Sequence, residues 1–175
     1  IQSPWALSTE ASASPTHAWS DSPGGIYGNN VNSSLTSPVL DLTGKTGVEL
    51  YFRHIYDLEA GWDYGHVEIS TNGGSSWTEV VAYDGTSTAS WKLVTLPLPA
   101  LDNAAQARFR FRISTDVNTQ LDGWHVDDIE LRSLARLSGL IPRSISYDQR
   151  AQRAEGEQRA EGDTTSLTIS FGVSG

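Results

Sequence analysis

Carboxylates cluster in the predicted loops of this 175-residue sequence, and carboxylate oxygens are ligands for hard cations. Ca²⁺ takes about six to eight oxygen ligands, with backbone carbonyls and water completing the set. We expect a bound Ca²⁺ ion, held by some of Asp21, Glu59, Asp63, Asp127 and Asp128. The alternative for each residue taken singly is that its carboxylate faces solvent or caps a turn.

The histidines lack the spacing of a zinc hydrolase. His17, His54, His66 and His125 form neither His-Glu-x-x-His nor a pair at i, i+4. Neither Gly-x-Ser-x-Gly nor a phosphate-binding glycine loop occurs, and a glycosidase pair would need one carboxyl in an apolar pocket, which the sequence does not indicate. We assign no catalytic residue, although a dispersed Ser-His-Asp triad stays open at this stage.

Three arginines alternate with apolar residues along one predicted strand. Arg108, Arg110 and Arg112 therefore share one face, opposite Phe109 and Phe111. Guanidinium groups bind carboxylates through paired N–H donors, so this stripe predicts a grip on an acidic glycan or on a partner's carboxylates. The alternative is a solvated face, paired across strands with Glu or Asp.

The elements that must position these residues are β-strands. Apolar and polar residues alternate over 47–56, 64–71 and 107–113, the period of a half-buried strand. Weaker strands are predicted at 5–8, 37–42, 77–82, 91–96 and 123–131, separated by turns rich in Gly, Asn, Asp and Pro. At Asp127 and Asp128 the alternation changes face, which predicts a β-bulge.

These strands predict an all-β fold, a jelly-roll sandwich of two antiparallel sheets over residues 1–131. The predicted core consists of Val48, Leu50, Phe52, Val67, Ile69, Phe109, Phe111 and Ile113. In the hairpin after residue 69, Asn72 and Gly73 predict a tight turn that positions Trp77.

The character of the chain changes after Leu131. Residues 132–164 include two Gln-Arg-Ala-Glu-Gly repeats and are predicted to be a polar linker. Residues 165–175 alternate again, which predicts a C-terminal strand. Its apolar face consists of Leu167, Ile169, Phe171 and Val173. This strand pairs either with its own sheet or with another copy.

Composition narrows the classes of partner. The net charge of −9 opposes binding to nucleic acid and to anionic membranes. The absence of cysteine excludes disulfides and thiolate chemistry. No apolar run approaches the roughly 20 residues that span a bilayer. The chain begins at Ile1 and contains no methionine, which predicts an origin by cleavage or excision from a longer chain.

Four motifs occur in a fixed order. They are LTSPVLDL at 35–42, VELYF at 48–52, WDYGHVEIS at 62–70 and DGWHVDDI at 122–129. In this order they resemble the MAM-like jelly-roll accessory domains of secreted bacterial proteases, including those of the immune inhibitor A type. The resemblance implies a module without catalytic activity, located outside the cell or on its surface.

Two functions of different class follow. The first is a binding or adhesion module that holds a secreted or surface protein against a polysaccharide or a protein. The second is a structural subunit of an extracellular filament, whose C-terminal strand inserts into the sheet of a neighbouring copy.

Overall fold

The computed structural model describes residues 5–135 and 164–167, the latter as backbone. These residues form ten strands and a single 3-10 turn, Pro99–Leu101. The strands are β1 (Ala6–Ser8), β2 (Ala18–Ser20), β3 (Asn32–Thr36), β4 (Lys45–Asp57), β5 (Tyr64–Ser70), β6 (Thr78–Tyr83), β7 (Thr86–Pro97), β8 (Arg108–Ser114), β9 (Gly123–Ala135) and β10 (Thr164–Leu167).

The strands build two antiparallel sheets with jelly-roll connectivity. Sheet A has the order β1-β2-β9-β4-β7, with β10 also paired to β9, and sheet B has the order β3-β8-β5-β6. Strand β2 pairs with β9, β3 with β8, β4 with β7 and β5 with β6, so the central eight strands form nested antiparallel pairs. Nested pairing divided between two facing sheets defines the jelly roll, and it confirms the predicted fold class.

The core lies between the two sheets. All eight predicted core residues are buried, seven of them in or beside one aromatic-rich cluster. Phe111 contacts Phe52 and Trp124 edge to face, with ring centroids 5.1 and 5.5 Å apart. Such offset geometry is the favourable arrangement of aromatic rings, and it joins sheet B to sheet A.

Two N-terminal elements differ from the sequence prediction. The strand predicted at 37–42 lies earlier, as β3, because Pro38 lacks the N–H that a continuous ladder needs, and Leu40 forms only an isolated bridge to Ala107. Strand β2, three residues long, was not predicted.

Strand β9 contains the predicted bulge. Tyr51 pairs with Glu130 and Arg53 with Asp127, so β9 has one more residue than β4 over this interval. Asp128 lies at this irregularity and has a φ of 50°. The strand continues to Ala135, past the predicted boundary at Leu131. The alternation of buried and exposed side chains continues there, since Leu131 and Ser133 are both buried. The predicted linker at 132–164 therefore overlaps β9 in its first four residues.

Part of the C-terminal segment is described. Strand β10 pairs with β9, with Leu167 opposite Leu131 and Thr164 opposite Leu134. Ile169, Phe171 and Val173, the rest of the predicted apolar face, lie outside the described residues. Within 5–135 and 164–167, no helix has the length and hydropathy to cross a bilayer.

Candidate functional sites

Three carboxylates from two loops converge at one end of the sandwich. One oxygen from each of Glu59, Asp63 and Asp116 lies within 4.8 Å of the other two. Glu59 and Asp63 belong to the loop between β4 and β5, where the N–H of Asp63 donates to the carbonyl of Glu59 at 3.0 Å. Asp116 follows β8, and its N–H donates to Oδ1 of Asp63 at 2.8 Å. We call these three residues the carboxylate cluster.

The carboxylate cluster has the chemistry of a cation site. Oδ2 of Asp63 and Oε2 of Glu59 are buried and have no hydrogen-bond partner. Buried carboxylate oxygens without partners are costly, and a hard cation would satisfy them. Burial raises the pKa of the adjacent Tyr27, and the carboxylate of Asp63 adds to that rise, so the phenol stays protonated. These residues fit Ca²⁺ in donor type and arrangement.

Sequence reasoning found two members of the cluster and missed the third. Asp116 stands just beyond β8, and Tyr64 at the start of β5 pairs with Ser114 at the end of β8. Antiparallel pairing of these strands places the loop before β5 beside the loop after β8. That relation, rather than any motif, was the signal for Asp116.

Asp21 lies elsewhere, buried against β9. Its Oδ1 accepts the backbone N–H of Trp124 at 2.6 Å, and burial raises its pKa to about 7. Gly123, with a φ of +93°, makes room for it, since a Cβ there would lie 2.3 Å from Oδ1 of Asp21. Asp21 therefore orders the start of β9 and is separate from the carboxylate cluster.

Asp127 and Asp128 hold other parts of the fold. Oδ2 of Asp127 accepts the N–H groups of Ala13 and Ser14 at 2.7 and 2.9 Å, which pins the loop between β1 and β2 to the bulge. Asp128 forms an ion pair with Arg53 at 3.1 Å. Neither belongs to the carboxylate cluster, so the structure divides the five predicted ligands among three places.

The arginine stripe lies on the outer face of sheet B, and its members have different partners. Arg108 donates from Nε to the carbonyl of Ser37 at 2.8 Å and from Nη1 to that of Gly73 at 3.4 Å. It therefore ties the segment after β3 to the hairpin between β5 and β6. Arg110 and Arg112 instead share one carboxylate, that of Glu68 on β5.

Glu68 organises the two guanidinium groups. Arg110 donates from Nε to Oε2 at 2.6 Å, and Arg112 donates from Nε and Nη2 to Oε2 and Oε1 at 3.0 and 3.1 Å. Burial raises the pKa of Glu68, but the bonds and charges of Arg112 and Arg110 outweigh it, and the net shift is downward. The carboxylate stays ionised, and the pairing across strands is the predicted alternative for these arginines.

Trp77 supports the same group from the neighbouring hairpin. The Arg110 guanidinium carbon lies 4.2 Å from the centre of the Trp77 ring. Asn72 fixes the turn before Trp77, since its Oδ1 accepts the N–H of Ser76 at 3.0 Å. The predicted turn thus positions an aromatic platform for a cation.

A second hydrogen-bonded series runs beside the arginines. His66 contacts Ser114 Oγ through Nε2 at 2.8 Å and Glu79 Oε2 through Nδ1 at 2.6 Å. Ser–His–carboxylate contacts of this kind occur in hydrolases, but those enzymes also need donors for an oxyanion. The next two N–H groups after Ser114 are engaged, since Thr115 donates to the carbonyl of Val31 and Asp116 to Asp63. The series orients these side chains, and the N–H groups of Thr115 and Asp116 are not free to act as oxyanion donors.

We use the name outer-face network for the polar side chains joined in this way on sheet B. Its members are His66, Glu68, Glu79, Arg110, Arg112 and Ser114.

Fold and sites together define a jelly-roll module with a carboxylate cluster at one end and a polar network on one face. Residues 28–132, more than half of the chain, match the family model of Reelin subrepeat B, and the chain belongs to that family. Bacillopeptidase F of Bacillus subtilis (strain 168) is 28% identical over 107 residues, which cover 61% of this chain and 7% of that protein. The chain thus corresponds to a small part of its relative.

These matches fit a jelly-roll-like domain of the kind that accompanies a protease, while the MAM-like part of the resemblance stays a prediction.

Two solved structures are similar at a lower level. One is a Family 16 Carbohydrate Binding Module-2, with a TM-score of 0.45, 14% identity, and coverage of 73% of this chain and 84% of that one. The other is TmCBM61 in complex with beta-1,4-galactotriose, with a TM-score of 0.45, 13% identity, and coverage of 74% and 88%.

Proposed function

We propose that this chain is a non-catalytic, extracellular or cell-surface binding module, and that the outer-face network binds a polysaccharide. The observation that carries the proposal is the mutual fixing of partly exposed polar side chains on the outer face of sheet B. Glu68 joins Arg110 and Arg112, while His66 joins Ser114 and Glu79. Side chains already held in place lose little conformational entropy when a ligand binds.

The neighbours of the network suit a sugar ligand. Tyr64 lies beside His66 with ring centroids 5.9 Å apart, and Trp77 flanks Arg110. Aromatic rings pack against the apolar faces of ligand rings, and hydroxyl and charged groups bond their polar edges. Membership of the Reelin subrepeat B family and the ordered motifs of protease accessory domains support the extracellular setting. A protein ligand is the alternative for the same face.

We further propose that the carboxylate cluster binds Ca²⁺ in a structural role. The two unpartnered oxygens of Asp63 and Glu59 support this proposal, because a cation would satisfy both. An ion there would hold the loop before β5 to the loop after β8. It would stabilise the end of the sandwich and lies outside the outer-face network.

A second candidate function is assembly through the C-terminal strand. Strand β10 lies on β9 beside Leu131 and Leu134, outside the nested eight-strand jelly roll. The same edge of β9 is a site at which a neighbouring copy could donate its strand, giving main-chain hydrogen bonds between subunits. Repeated donation would produce a filament.

Binding to an array of neutral and acidic polysaccharides tests the principal proposal. We expect retention on at least one polysaccharide, lost in Tyr64→Ala and kept in Tyr51→Ala, a tyrosine of sheet A. Failure to bind any polysaccharide, or equal loss in both variants, would overturn the assignment of the site. If the wild-type protein hydrolysed esters and Ser114→Ala abolished that activity, the proposal that the module is non-catalytic would be overturned.

A further inference from the structure

The outer face of sheet B places three arginines beside two carboxylates, Glu68 and Glu79, in a chain whose net charge is −9. Of the seven lysine and arginine residues within 5–135, three lie on β8: Arg108, Arg110 and Arg112. Charges beyond about 8 Å are largely screened at physiological ionic strength, so a ligand on this face responds to nearby groups more than to the whole chain. Local charge, rather than net charge, decides what this face attracts.

Glu68 neutralises one of the two guanidinium groups that it joins. Each guanidinium has five N–H donors. Arg110 uses Nε toward Glu68, and Arg112 uses Nε and Nη2. Among the described residues, both Nη groups of Arg110 and Nη1 of Arg112 have no protein acceptor. Donors therefore remain on two cations that the protein already holds in place.

The two guanidinium groups are also accessible in part. The side chain of Arg110 is 21% exposed and that of Arg112 is 18% exposed. Trp77 and Glu68 hold Arg110 from two sides, through a ring contact at 4.2 Å and a hydrogen bond at 2.6 Å. A planar anion that approaches from solvent would meet N–H groups that are already oriented. The conformational entropy of ordering these side chains was lost during folding and is not lost again on binding.

We propose that Arg110 and Arg112 form a carboxylate-recognition site, and that the polysaccharide ligand of this module is a uronate-containing acidic glycan. This inference rests on the proposed function and specifies its ligand class. The carboxylate of a uronate accepts paired N–H bonds as Glu68 does from Arg112, and the flanking Tyr64 and Ser114 face the rest of the sugar chain. The same site gives little advantage to neutral glycans.

The position of the site favours a glycan over an acidic peptide. Strand β8 pairs on one side with β3 and on the other with β5, so its backbone groups are engaged in the two ladders. A peptide that binds by strand addition needs an open sheet edge. Recognition at the centre of a sheet face relies on side chains alone, which suits sugar hydroxyls and carboxylates.

The test compares binding of hyaluronan and of its methyl ester to the same wild-type protein by calorimetry. We expect the ester to bind at least about tenfold more weakly, since it lacks the charge that makes paired hydrogen bonds strong. Arg110→Lys/Arg112→Lys should lose a similar factor toward hyaluronan, because lysine keeps the charge and lacks the planar fork. Arg132→Lys is the matched control, since Arg132 lies over Tyr51 at 3.9 Å and bonds Glu130 at 2.6 Å on sheet A.

Equal binding of hyaluronan and its ester, or wild-type affinity in the double variant, would overturn the uronate assignment and leave the binding module intact. Stronger binding of dextran sulfate than of hyaluronan would show that the site recognises sulfate groups rather than carboxylates, which would overturn the uronate assignment. Binding of polyglutamate without binding of any glycan would point to an acidic peptide instead. Absence of binding to every polysaccharide would reject the proposed function itself. The comparison of acid with ester needs no variant, so a destabilised mutant cannot obscure it.

Discussion

The indole of Trp124 donates its Nε1–H to Nδ1 of His54 at 3.2 Å within the core. The backbone N–H of the same residue donates to Oδ1 of Asp21 at 2.6 Å. Trp124 thus links two buried titratable groups whose pKa values shift in opposite directions. In both cases burial favours the neutral form of the side chain. Burial, with a smaller effect of Lys92, lowers the pKa of His54 to about 4, and burial raises that of Asp21 to about 7.

These shifts predict two opposing dependences of stability on pH. The folded state keeps His54 neutral, so its contribution is full above about 6.5 and is lost as pH falls toward 4. The folded state keeps the proton of Asp21, so its contribution is full below about 3.8 and is lost as pH rises toward 7. Between these limits the two slopes offset each other.

Single variants should separate the two slopes. In Asp21→Asn the unfolding free energy should rise with pH between about 4 and 6.5, by on the order of 1 kcal/mol per pH unit at most. In His54→Asn it should fall with rising pH over about 4 to 7. Urea denaturation across this range measures both, with the double variant as control. A slope of the same sign in both single variants would contradict the assignment.

Removal of Ca²⁺ should destabilise the protein if the carboxylate cluster binds it. A ligand that binds the folded state at about 100 times its Kd adds about 2.7 kcal/mol, so excess chelator should lower the melting temperature. Asp116→Asn should lose this response. Asp128→Asn, which changes an aspartate paired with Arg53 outside the cluster, should keep it. An unchanged melt in chelator together with no metal by elemental analysis would remove the proposal.

Truncation of the core aromatic residues should cost much of the stability. Phe109 and Phe111 are fully buried, so Phe109→Ala or Phe111→Ala should lower the unfolding free energy by about 3–5 kcal/mol. Leu93→Ala is the control, because Leu93 is 60% exposed and surface changes are usually within about 0.5 kcal/mol. A loss below about 1 kcal/mol for either phenylalanine would contradict the assigned packing.

Deletion of residues 164–175 tests the C-terminal strand. If β10 closes its own sheet, the truncated protein should be less stable and should expose the edge of β9 to aggregation. If the strand is donated between copies, truncation should leave a folded monomer that no longer assembles. Denaturant melts and solution mass at several concentrations distinguish the two results. A control that deletes only 168–175 retains β10, and unchanged stability and mass in both truncations would show that the segment does neither.

Local alternation was enough to predict the long strands and their buried faces. Val48, Leu50 and Phe52 alternate with polar residues, and a period of two places them on one side of any strand. The change of face at Asp127 and Asp128 likewise indicated the bulge, because one extra residue is what restores the alternation. A strand that packs one face against the core needs this alternation, so the pattern can be recognised in the sequence without knowledge of the fold.

Only the tertiary structure decided which distant side chains meet. The sequence proposed that some of five acidic residues hold one ion, and the fold joins two of them, Glu59 and Asp63, with Asp116. It also gives Arg110 and Arg112 a common partner in Glu68, a residue about forty positions away on a neighbouring strand. Alternation fixes the face on which a residue lies, whereas strand order and register fix its neighbours. In a jelly roll those neighbours are set by nested pairings between remote segments, which no local pattern records.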